Sequence, residues 1–559
     1  MKKMLSTILV CMLVCMLVIL CLVGCGGGNA GGGANAGGNN GGENTGNTGS
    51  VAGGNTTVVI GLQSDLVTID PGNMYEPYAN MVAYAAYDFL YKVQPGSMGT
   101  PIPSVATGVE IDQTGKIYTF PIRKDVVFAS GNTMTAKDIA WSINRVLNMP
   151  ESNTYSSVKI VDKVVAKDDY TVVFTLNERD ASFLAKLTSN AYCILDSEIV
   201  KEHGGSDHGG DTAKAWLDTT SAGSGPFIIK SWTPKEQLVL EKNPGYWGAS
   251  KNIDTIILRE MTSVDAQITA LQNGEIDIAL SLDTETAKQL EGKNNIAVAT
   301  GDTALITFLV MSRDEALSKE MSNPLVQEAV RCALDYEGYL TIGGAGCAVP
   351  LNFVQKGFSG ALTRDLASQG KNLDKAKALM AQAGYPNGFP ITLTCGTNNS
   401  EGMEWTLVAQ KVKQDLAAIG ITVTIETLET TLVYEKMRNY AMPFYVMYWS
   451  PDYYDINNQF AFLPGMGDGG TAYGNRTHWE RTAGNQALWD LAELIQVETD
   501  EAKRAEYAKQ LQLLYAEDNP LAFLLQHPKT YAYRSDVLTN VNYNDLCKIE
   551  LIEMSMTVK

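Results

Sequence analysis

Residues 1–54 constrain this chain more than any other stretch, because they contain little from which a packed core can be built. A short positive start is followed by an almost unbroken apolar run, Met4–Val23, and then by Cys25. Residues 26–55 are mostly small or polar, with glycine and asparagine predominating. A stretch of that composition has no apolar face to bury and behaves as a flexible linker. We therefore expect the folded body to begin near Thr56.

The first 25 residues resemble a bacterial lipoprotein signal peptide with its lipobox. Lys2 and Lys3 supply the positive n-region, and the small residue Gly24 stands directly before Cys25. The resemblance implies that the leader is cut before Cys25, whose sulfur and amine then carry lipid, and two acyl chains give stable anchoring. A plain transmembrane anchor is the alternative, because roughly 20 apolar residues span a bilayer. Either interpretation places the body on the extracytoplasmic face of the cell membrane.

The remaining body of about 500 residues is too long for a single hydrophobic core, so two or more domains are expected. Hydrophobic residues make up 45% of the chain and charged residues 19%, as in an ordinary globular protein. The formal net charge is −19, and removing Lys2 and Lys3 with the leader makes it −21. Such an acidic surface repels nucleic acid and anionic lipid headgroups, which argues against both as partners.

Cysteine usage indicates no chemistry. Of nine cysteines, three leave with the leader and Cys25 is the candidate for lipidation. None of the other five stands near another at metal-ligand spacing. We expect isolated thiols, with a disulfide between Cys332 and Cys347 as the alternative. The five are Cys193, Cys332, Cys347, Cys395 and Cys547.

Signatures of enzymes are also missing from the sequence. It contains no GxSxG, HExxH or GxxxxGK[ST] motif, and no GxGxxG that opens a helix after a strand. Of only four histidines, His203 and His208 share a glycine-rich loop that could hold a divalent ion, but a solvated surface loop is the simpler interpretation. We therefore expect a protein that is not an enzyme and has neither a cofactor nor a metal site.

Short strand-like runs alternate with helical ones along the body, which indicates an α/β fold. The order strand, helix, strand around Gly420 predicts a crossover between parallel strands. Thr135 and Asp138 are spaced as in a capping box. The predicted strands are 57–62, 116–123, 170–176, 238–240, 255–258, 391–395 and 422–426. The predicted helices are 78–90, 135–147, 263–273, 324–334, 373–383, 405–418, 486–497 and 501–517.

Two segments resemble a known family. Gly223–Phe227, followed by Trp232, Leu240 and Asn243–Trp247, is similar to the G-[ST]-G-[PA]-[FY] … W … L-x-x-N-x-x-Y-W segment of the solute-binding proteins of peptide and nickel ABC importers. This is family 5 of the extracellular solute-binding proteins, which includes the oligopeptide and dipeptide receptors. Residues 122–139 look like the family signature L-R-x-x-V-x-F-x-x-G-x-x-[FV]-T-A-x-D-[VI]. Further matches spread from about residue 57 to the end of the chain.

The resemblance implies an α/β fold with two lobes, of the type II periplasmic-binding-protein kind in its three-domain peptide-receptor variant, with a hinge and a cleft between the lobes. Lobe I is expected over residues 56–310 and 520–559, with an inserted subdomain at about 103–190, and lobe II over 311–519. In the first motif, Gly223 and Gly225 are expected to permit a turn with positive φ. Its aromatic residues are expected to fill the core.

The strongest candidate for ligand binding is Asp452. It lies in Trp449–Asp455, which resembles the family motif W-x-x-D-Y-x-[DE]-P, although Ile456 replaces the proline. A carboxylate among Trp449, Tyr453 and a second tyrosine is costly to bury unless a cation or several donors satisfy it. In the peptide receptors the aspartate of this motif binds the ligand's α-ammonium, and the resemblance carries that role to Asp452. A surface or turn-capping aspartate is the alternative.

Three more residues are weaker candidates for the ligand site. Arg438 lies just before the aromatic strand, where similar receptors can carry an arginine that meets ligand charge, but an arginine on a helix surface is the simpler interpretation. Tyr75 and Glu76 fall where such receptors place part of the cleft wall. The aromatic run from Tyr440 to Tyr454 suits either a strand core or a pocket wall, and such a wall fits peptides and sugars alike.

The resemblance implies a lipid-anchored, monomeric receptor that closes about a peptide and delivers it to an ABC importer. No nucleotide-binding motif occurs in this chain, so the permease and the ATPase subunits must be partner chains. Nickel chelate, oligosaccharide and opine remain alternative ligands on the same scaffold. A receptor that senses peptide without importing it is an alternative role.

Overall fold

The computed structural model describes residues 56–63, 66–74, 78–249, 251–397, 399–400, 402–465, 473–546 and 548–557. These residues all belong to one compact unit, Asn55–Lys559. The predicted leader, linker and lipidation site at Cys25 therefore lie outside the described residues. Cys547 also lies outside them, and Cys193, Cys332, Cys347 and Cys395 are free thiols.

Twenty-four strands are assigned in the described part of the chain. In order they are β1 (Thr57–Leu62), β2 (Tyr91–Val93), β3 (Pro101–Pro103), β4 (Glu110–Ile111), β5 (Ile117–Pro121), β6 (Val161–Asp168), β7 (Thr171–Leu176), β8 (Phe227–Thr233), β9 (Gln237–Lys242), β10 (Thr255–Glu260), β11 (Ile278–Leu282), β12 (Ile296–Gly301), β13 (Ile306–Met311), β14 (Pro390–Gly396), β15 (Asn399–Ser400), β16 (Met403–Glu404), β17 (Thr422–Leu428), β18 (Phe444–Trp449), β19 (Leu521–Gln526), β20 (Lys529–Arg534), β21 (Leu538–Thr539), β22 (Tyr543–Asn544), β23 (Lys548–Ile549) and β24 (Ser555–Met556).

The α-helices of the described residues are α1 (Ala79–Ala86), α2 (Ala136–Leu147), α3 (Tyr155–Val158), α4 (Phe183–Lys186), α5 (Ser197–Glu202), α6 (Lys214–Leu217), α7 (Val264–Asn273), α8 (Thr284–Leu290), α9 (Pro324–Ala333), α10 (Tyr336–Gly343), α11 (Leu366–Gln369), α12 (Leu373–Gln382), α13 (Trp405–Ala417), α14 (Thr430–Arg438), α15 (Tyr473–Arg476), α16 (Gln486–Val497) and α17 (Glu501–Glu517). Short 3₁₀ helices cover Asn190–Tyr192, Ile456–Phe462 and Ala483–Asn485.

Three main sheets organise the body. A seven-stranded sheet has the order β12-β20-β11-β1-β10-β9-β8, and a four-stranded sheet has the order β4-β5-β7-β6. We call the part built on these two sheets lobe I, and the part built on the five-stranded sheet β17-β14-β18-β13-β19 lobe II. The four-stranded sheet has a hydrophobic core of its own, centred on Phe120, Phe174 and Phe183. Apolar side chains cover both faces of the five-stranded sheet.

The chain passes between the lobes twice. β12 of lobe I leads into β13 of lobe II through residues 302–305, and β19 returns to β20 through residues 527–528. The two crossings are hydrogen-bonded, because the Thr303 hydroxyl donates to the His527 carbonyl at 2.6 Å and the Gln526 amide donates to the Thr303 carbonyl at 2.6 Å. The predicted bounds, residues 56–310 and 520–559 for lobe I and 311–519 for lobe II, stay a prediction. The strand pairing itself places both β13 and β19 in the five-stranded sheet of lobe II.

Local sequence rules account for several of these elements. Thr135 and Asp138 form the expected capping box at the start of α2. β14 pairs in parallel with β17 across α13, as the order around Gly420 predicts. Every residue of β13 and of β19 is buried, which suits strands covered on both faces.

Two expectations about lobe I are wrong. The helix predicted to run to Leu90 ends at Ala86, because Tyr87 adopts an extended conformation. Gly223 and Gly225 do not have positive φ. They are glycines because a Cβ at Gly223 would lie 2.0 Å from the Ala86 carbonyl oxygen, and a Cβ at Gly225 would lie 2.6 Å from the Ala86 carbonyl carbon. The motif therefore provides a close backbone approach to the end of α1.

Candidate functional site

The candidate site is the loop Ser450–Asp455, which begins where β18 ends. β18 runs antiparallel to β13, and its last residue, Trp449, pairs with Ile306, the first residue of β13. Ile306 directly follows the first crossing between the lobes. The β-sheet register thus places the loop at the junction of lobes I and II, beside the carboxyl ends of the parallel strands β14 and β17, where α/β sheets commonly bind ligands.

Lobe II holds the backbone of this loop firmly. Asp455 caps the 3₁₀ helix that follows, since its carboxylate accepts a hydrogen bond from the backbone amide of Asn457 at 2.9 Å. The same carboxylate forms a two-pronged ion pair with Arg504 of α17, at 2.6 and 2.9 Å. The Asp452 amide donates to the side-chain oxygen of Asn458 at 2.8 Å. These bonds fix the position from which the Asp452 side chain projects.

The Asp452 carboxyl group is partly enclosed without a charge partner. The residue is half-buried, and burial raises the pKa of its carboxyl group to about 6, with the side chain of Asn458 offsetting part of that rise. No cation of the described residues forms an ion pair with it. Loss of solvent around an ionised carboxylate is costly until a cation or further donors approach it. The arrangement can therefore bind a cation that comes from outside the chain.

Aromatic residues stand beside Asp452 in the chain, and Tyr473 lies near it in space. The half-buried Trp449 ring meets Phe462 edge-to-face, with the ring centroids 5.2 Å apart. Tyr453 is buried, and the ammonium of Lys186 from lobe I lies 5.4 Å from the centre of its ring. Burial raises the pKa of the Tyr473 hydroxyl to about 12, and the nearby carboxyl group of Asp452 adds to that rise. Earlier residues of the strand, such as Tyr445, are fully buried core.

Lobe I holds the loop from two sides. On the side of the crossings, the buried Asp545 accepts hydrogen bonds from Ser450 and Tyr454 of the loop and from the backbone amide of Ala304. On the other side, Asn457 donates to Asp180 at 3.1 Å. Asp452 lies in the chain between these two attachments to lobe I.

Residues 100–470 match the family model described as bacterial extracellular solute-binding proteins, family 5 Middle. The match covers most of the folded body and includes the whole candidate loop. The chain belongs to this family. The family resemblance that the sequence motifs indicated is thereby confirmed, as is the two-lobed α/β fold.

Known relatives of this family 5 protein agree with that assignment. The chain is 26% identical over 489 residues to the probable D,D-dipeptide-binding periplasmic protein DdpA of Escherichia coli, covering 86% of this chain and 90% of that protein. Its fold is similar to that of DppA from Helicobacter pylori in complex with the peptide STSA, with a TM-score of 0.75, 24% identity, and coverage of 89% and 98%. It is also similar to AgaA from Agrobacterium tumefaciens R10 in complex with agropinic acid, with a TM-score of 0.75, 20% identity, and coverage of 90% and 99%.

The other candidate residues of the family 5 protein are placed less clearly. Arg438 is exposed and is the last residue of α14. Tyr75 and Glu76 lie outside the described residues. The roles of all the predicted site residues, including Trp449 and Tyr453, remain predictions.

The glycine-rich loop that contains His203 and His208 was the candidate for a divalent ion in this family 5 protein. In the glycine-rich loop, His203 stacks on Trp216 with the ring centroids 4.2 Å apart. Within the described ranges, no group of three or more acidic, histidine or cysteine side chains is placed to hold a metal ion. Nor does any helix of those ranges combine the length and the apolarity needed to cross a membrane.

The sequence motifs do not identify the residues that hold the candidate loop and the 3₁₀ helix after it. Asn458, Asp180 and Asp545 belong to none of the motifs. Asp180 and Asp545 reach the loop only because the fold brings distant parts of the chain together.

Proposed function

We propose that this protein is a lipid-anchored extracytoplasmic receptor that captures peptides between its lobes and passes them to an ABC importer. The observation that carries the proposal is the Asp452 carboxyl group, which is partly enclosed at the lobe junction and has no cation partner among the described residues. A peptide offers the missing cation as its terminal ammonium. The aromatic neighbours then provide apolar area for side chains.

Several findings support peptides as the ligand class. The names of DdpA and of the DppA complex refer to a dipeptide and to a peptide. An extended peptide would pair its backbone with strand edges in the cleft, while roomy pockets accept varied side chains. Affinity would then come mainly from the main chain and the amino terminus. We therefore expect low sequence selectivity together with a strict need for a free ammonium.

The remaining parts of the proposal rest on the sequence and the family. Cys25 is proposed as the lipidated residue, with 1–25 as the leader and 26–55 as the linker. The protein would act as a monomer, convert nothing, and need a separate permease and separate ATPase subunits for transport. A sensor that binds peptide without importing it would use the same site. Transport of a radiolabelled peptide by cells that lack this protein would separate the two roles.

An opine is the second candidate ligand. AgaA, whose structure contains agropinic acid, is as similar in fold as the peptide-bound DppA. Nickel chelate and oligosaccharide stay as further alternatives on the same scaffold. A ligand without a free ammonium would leave the charge of Asp452 uncompensated, which is why we favour peptides.

Native mass spectrometry of the purified protein tests the proposal. We expect a ladder of retained peptide masses in the wild type and its loss in Asp452→Asn. Asp125→Asn is a matched control, because Asp125 is exposed and pairs with Arg123 within lobe I. A single non-peptide mass, or retention that Asp452→Asn leaves unchanged, would contradict the proposal.

A further inference from the structure

The segment Glu178–Ser182, between β7 and α4, forms a second connection between the lobes. The backbone amide of Ala181 donates to the carbonyl of Gln496 at 2.8 Å. The Gln496 side chain donates in return to Glu178 at 2.7 Å. The side-chain amide of Asn457 donates to Asp180 at 3.1 Å and to the Ser182 hydroxyl at 3.2 Å. We call these four contacts the interlobe clasp.

Each half of the clasp is positioned by its own lobe. In lobe I, the buried Asp180 carboxylate is ion-paired with Lys186 and accepts from the amide and the hydroxyl of Ser182. In lobe II, the side-chain oxygen of Asn457 accepts from Arg504 at 3.2 Å, so its amide is turned toward Asp180. The two partners are thus oriented before they meet, and little conformational entropy is lost when they do.

The clasp is distinct from the crossings. Its lobe I half follows the four-stranded sheet, whereas the crossings join strands of the seven- and five-stranded sheets. Asp545, beside the crossings, binds Ser450 of the candidate loop, and the clasp binds Asn457 in the 3₁₀ helix that directly follows the loop. Opening the cleft about the crossings therefore has to break the clasp.

We propose that the interlobe clasp is a latch that stabilises the closed arrangement of the lobes independently of which ligand is bound. Every bond in it joins two groups of the protein. The apparent affinity of a ligand that binds the closed form is scaled by the population of that form. Weakening the clasp therefore lowers the affinity for all ligands by one common factor. This expectation about affinity rests on the proposed function of the cleft, whereas the latch itself does not.

The amide of Ala181 provides a direct test, because its hydrogen-bond acceptor is in the other lobe. Hydrogen exchange of this amide in the full-length protein reports how often the clasp opens. We expect a protected amide in the wild type and exchange about tenfold faster in Asn457→Ala, since a hydrogen bond to a charged group is lost. Asn485→Ala is the control, because the hydrogen bonds of its side chain with described residues, Thr482 and Glu480, both lie within lobe II.

A double-mutant cycle with two mild substitutions tests the clasp even if Asn457→Ala fails to fold. Glu178 is exposed and Gln496 is half-buried, so Glu178→Ala and Gln496→Ala are mild changes. We expect each to speed the exchange of Ala181 a few-fold and their effects to be strongly non-additive, because both remove the same bond. An unprotected Ala181 amide in the wild type, additive effects, or an equal effect of Asn485→Ala would overturn the latch.

Binding then connects the latch to the cleft. We expect Asn457→Ala to weaken trialanine and one longer peptide by the same factor, at most about tenfold, without altering their ratio. A change in that ratio would mean that Asn457 contacts ligand, and the latch proposal would be wrong. If neither peptide binds the wild type, the proposed function fails, while the exchange of Ala181 still decides whether the latch exists.

Discussion

Asp70 in lobe I and Asp452 in lobe II show two opposite solutions for an aspartate inside a protein. Asp70 is fully buried, and both of its oxygens bind the guanidinium of Arg145 at 2.8 Å. Burial alone would raise the pKa of the Asp70 carboxyl group, but Arg145 brings it below its ordinary value. Burial raises the pKa of Asp452 to about 6, and no cation of the described residues opposes it. The first arrangement stabilises the fold, and the second is the one that we propose for a ligand.

Asp88 shows that a raised pKa is not a sufficient sign of function. Burial raises the pKa of its carboxyl group to about 6 as well. Two neutral donors satisfy it, however, since Ser224 and the Trp247 indole each donate at 2.8 Å. Position separates the cases, because Asp88 belongs to the interior of lobe I, whereas Asp452 lies at the lobe junction. The distinction between a structural and a functional carboxylate thus depends on partners and place together.

The largest expected effect comes from breaking the structural side of this comparison. Arg145→Met leaves Asp70 and Asp211 buried without their common cation. We expect the free energy of unfolding to fall by about 3–5 kcal/mol, because an uncompensated buried charge is costly. Urea unfolding followed by circular dichroism measures this loss. A loss below about 1 kcal/mol would mean that Asp70 does not depend on its ion pair.

The next effect concerns the functional side. Asp452→Asn keeps the size of the side chain and removes its charge, so we expect peptide binding to weaken by about 2–5 kcal/mol. The free energy of unfolding at neutral pH should stay unchanged or increase, since the native state disfavours the ionised carboxylate. Calorimetry and urea unfolding of one preparation check both statements. A clear loss of stability would place Asp452 in the same class as Asp70.

The pH dependence sharpens the comparison further. With a folded-state pKa of about 6, above the ordinary 3.8, Asp452 contributes stability that is full below about pH 3.8 and is lost as the pH rises through 6. Ligand binding runs the opposite way, because an ammonium needs the ionised form. We expect peptide affinity to be highest near pH 7, to fall up to tenfold per pH unit below about 6 as Asp452 is protonated, and to fall above about pH 8 as the α-ammonium of the peptide loses its proton.

A matched variant isolates this titration. Asp88 titrates in the same range and in the same direction, so the stability curve must be read as the difference between the wild type and Asp452→Asn. The affinity curve of the variant should be flat between pH 5 and 8. An equally steep fall in the variant would assign the titration to another group.

The smallest effect is expected at Arg438. Its side chain is exposed at the end of α14, where solvent screens any ligand charge that it meets. We expect Arg438→Ala to change peptide affinity by less than about twofold. Titration monitored by tryptophan fluorescence checks this value, and a tenfold loss would make Arg438 a second charged contact.

Sequence patterns predicted the regular parts of this fold well. The bounds of α16 and α17 agree with the helical pattern, and the parallel pair β14 and β17 follows from the order of elements around Gly420. The pattern failed where a tertiary contact decides the backbone. Ala86 ends α1 early, and Gly223 is required by the proximity of that helix end instead of by its own φ.

One motif predicts a residue of the candidate site, but no motif predicts the surroundings of that residue. Trp449–Asp455 identifies Asp452, but it cannot show that the carboxyl group lacks a cation, because that depends on every neighbour in space. Asp180 binds Asn457, which is 277 positions further along the chain. Asp545 binds Tyr454, which is 91 positions before it. Sequence spacing carries no information at that range without an account of the topology.

Calorimetric titration of the wild type with trialanine and with N-acetyl-trialanine tests the central claim most directly. The two peptides share side chains and carboxyl terminus and differ in the ammonium that Asp452 is proposed to bind. We expect the free peptide to bind more tightly by at least about 2 kcal/mol, and the difference to disappear in Asp452→Asn. Equal binding of the two peptides by the wild type would contradict the account.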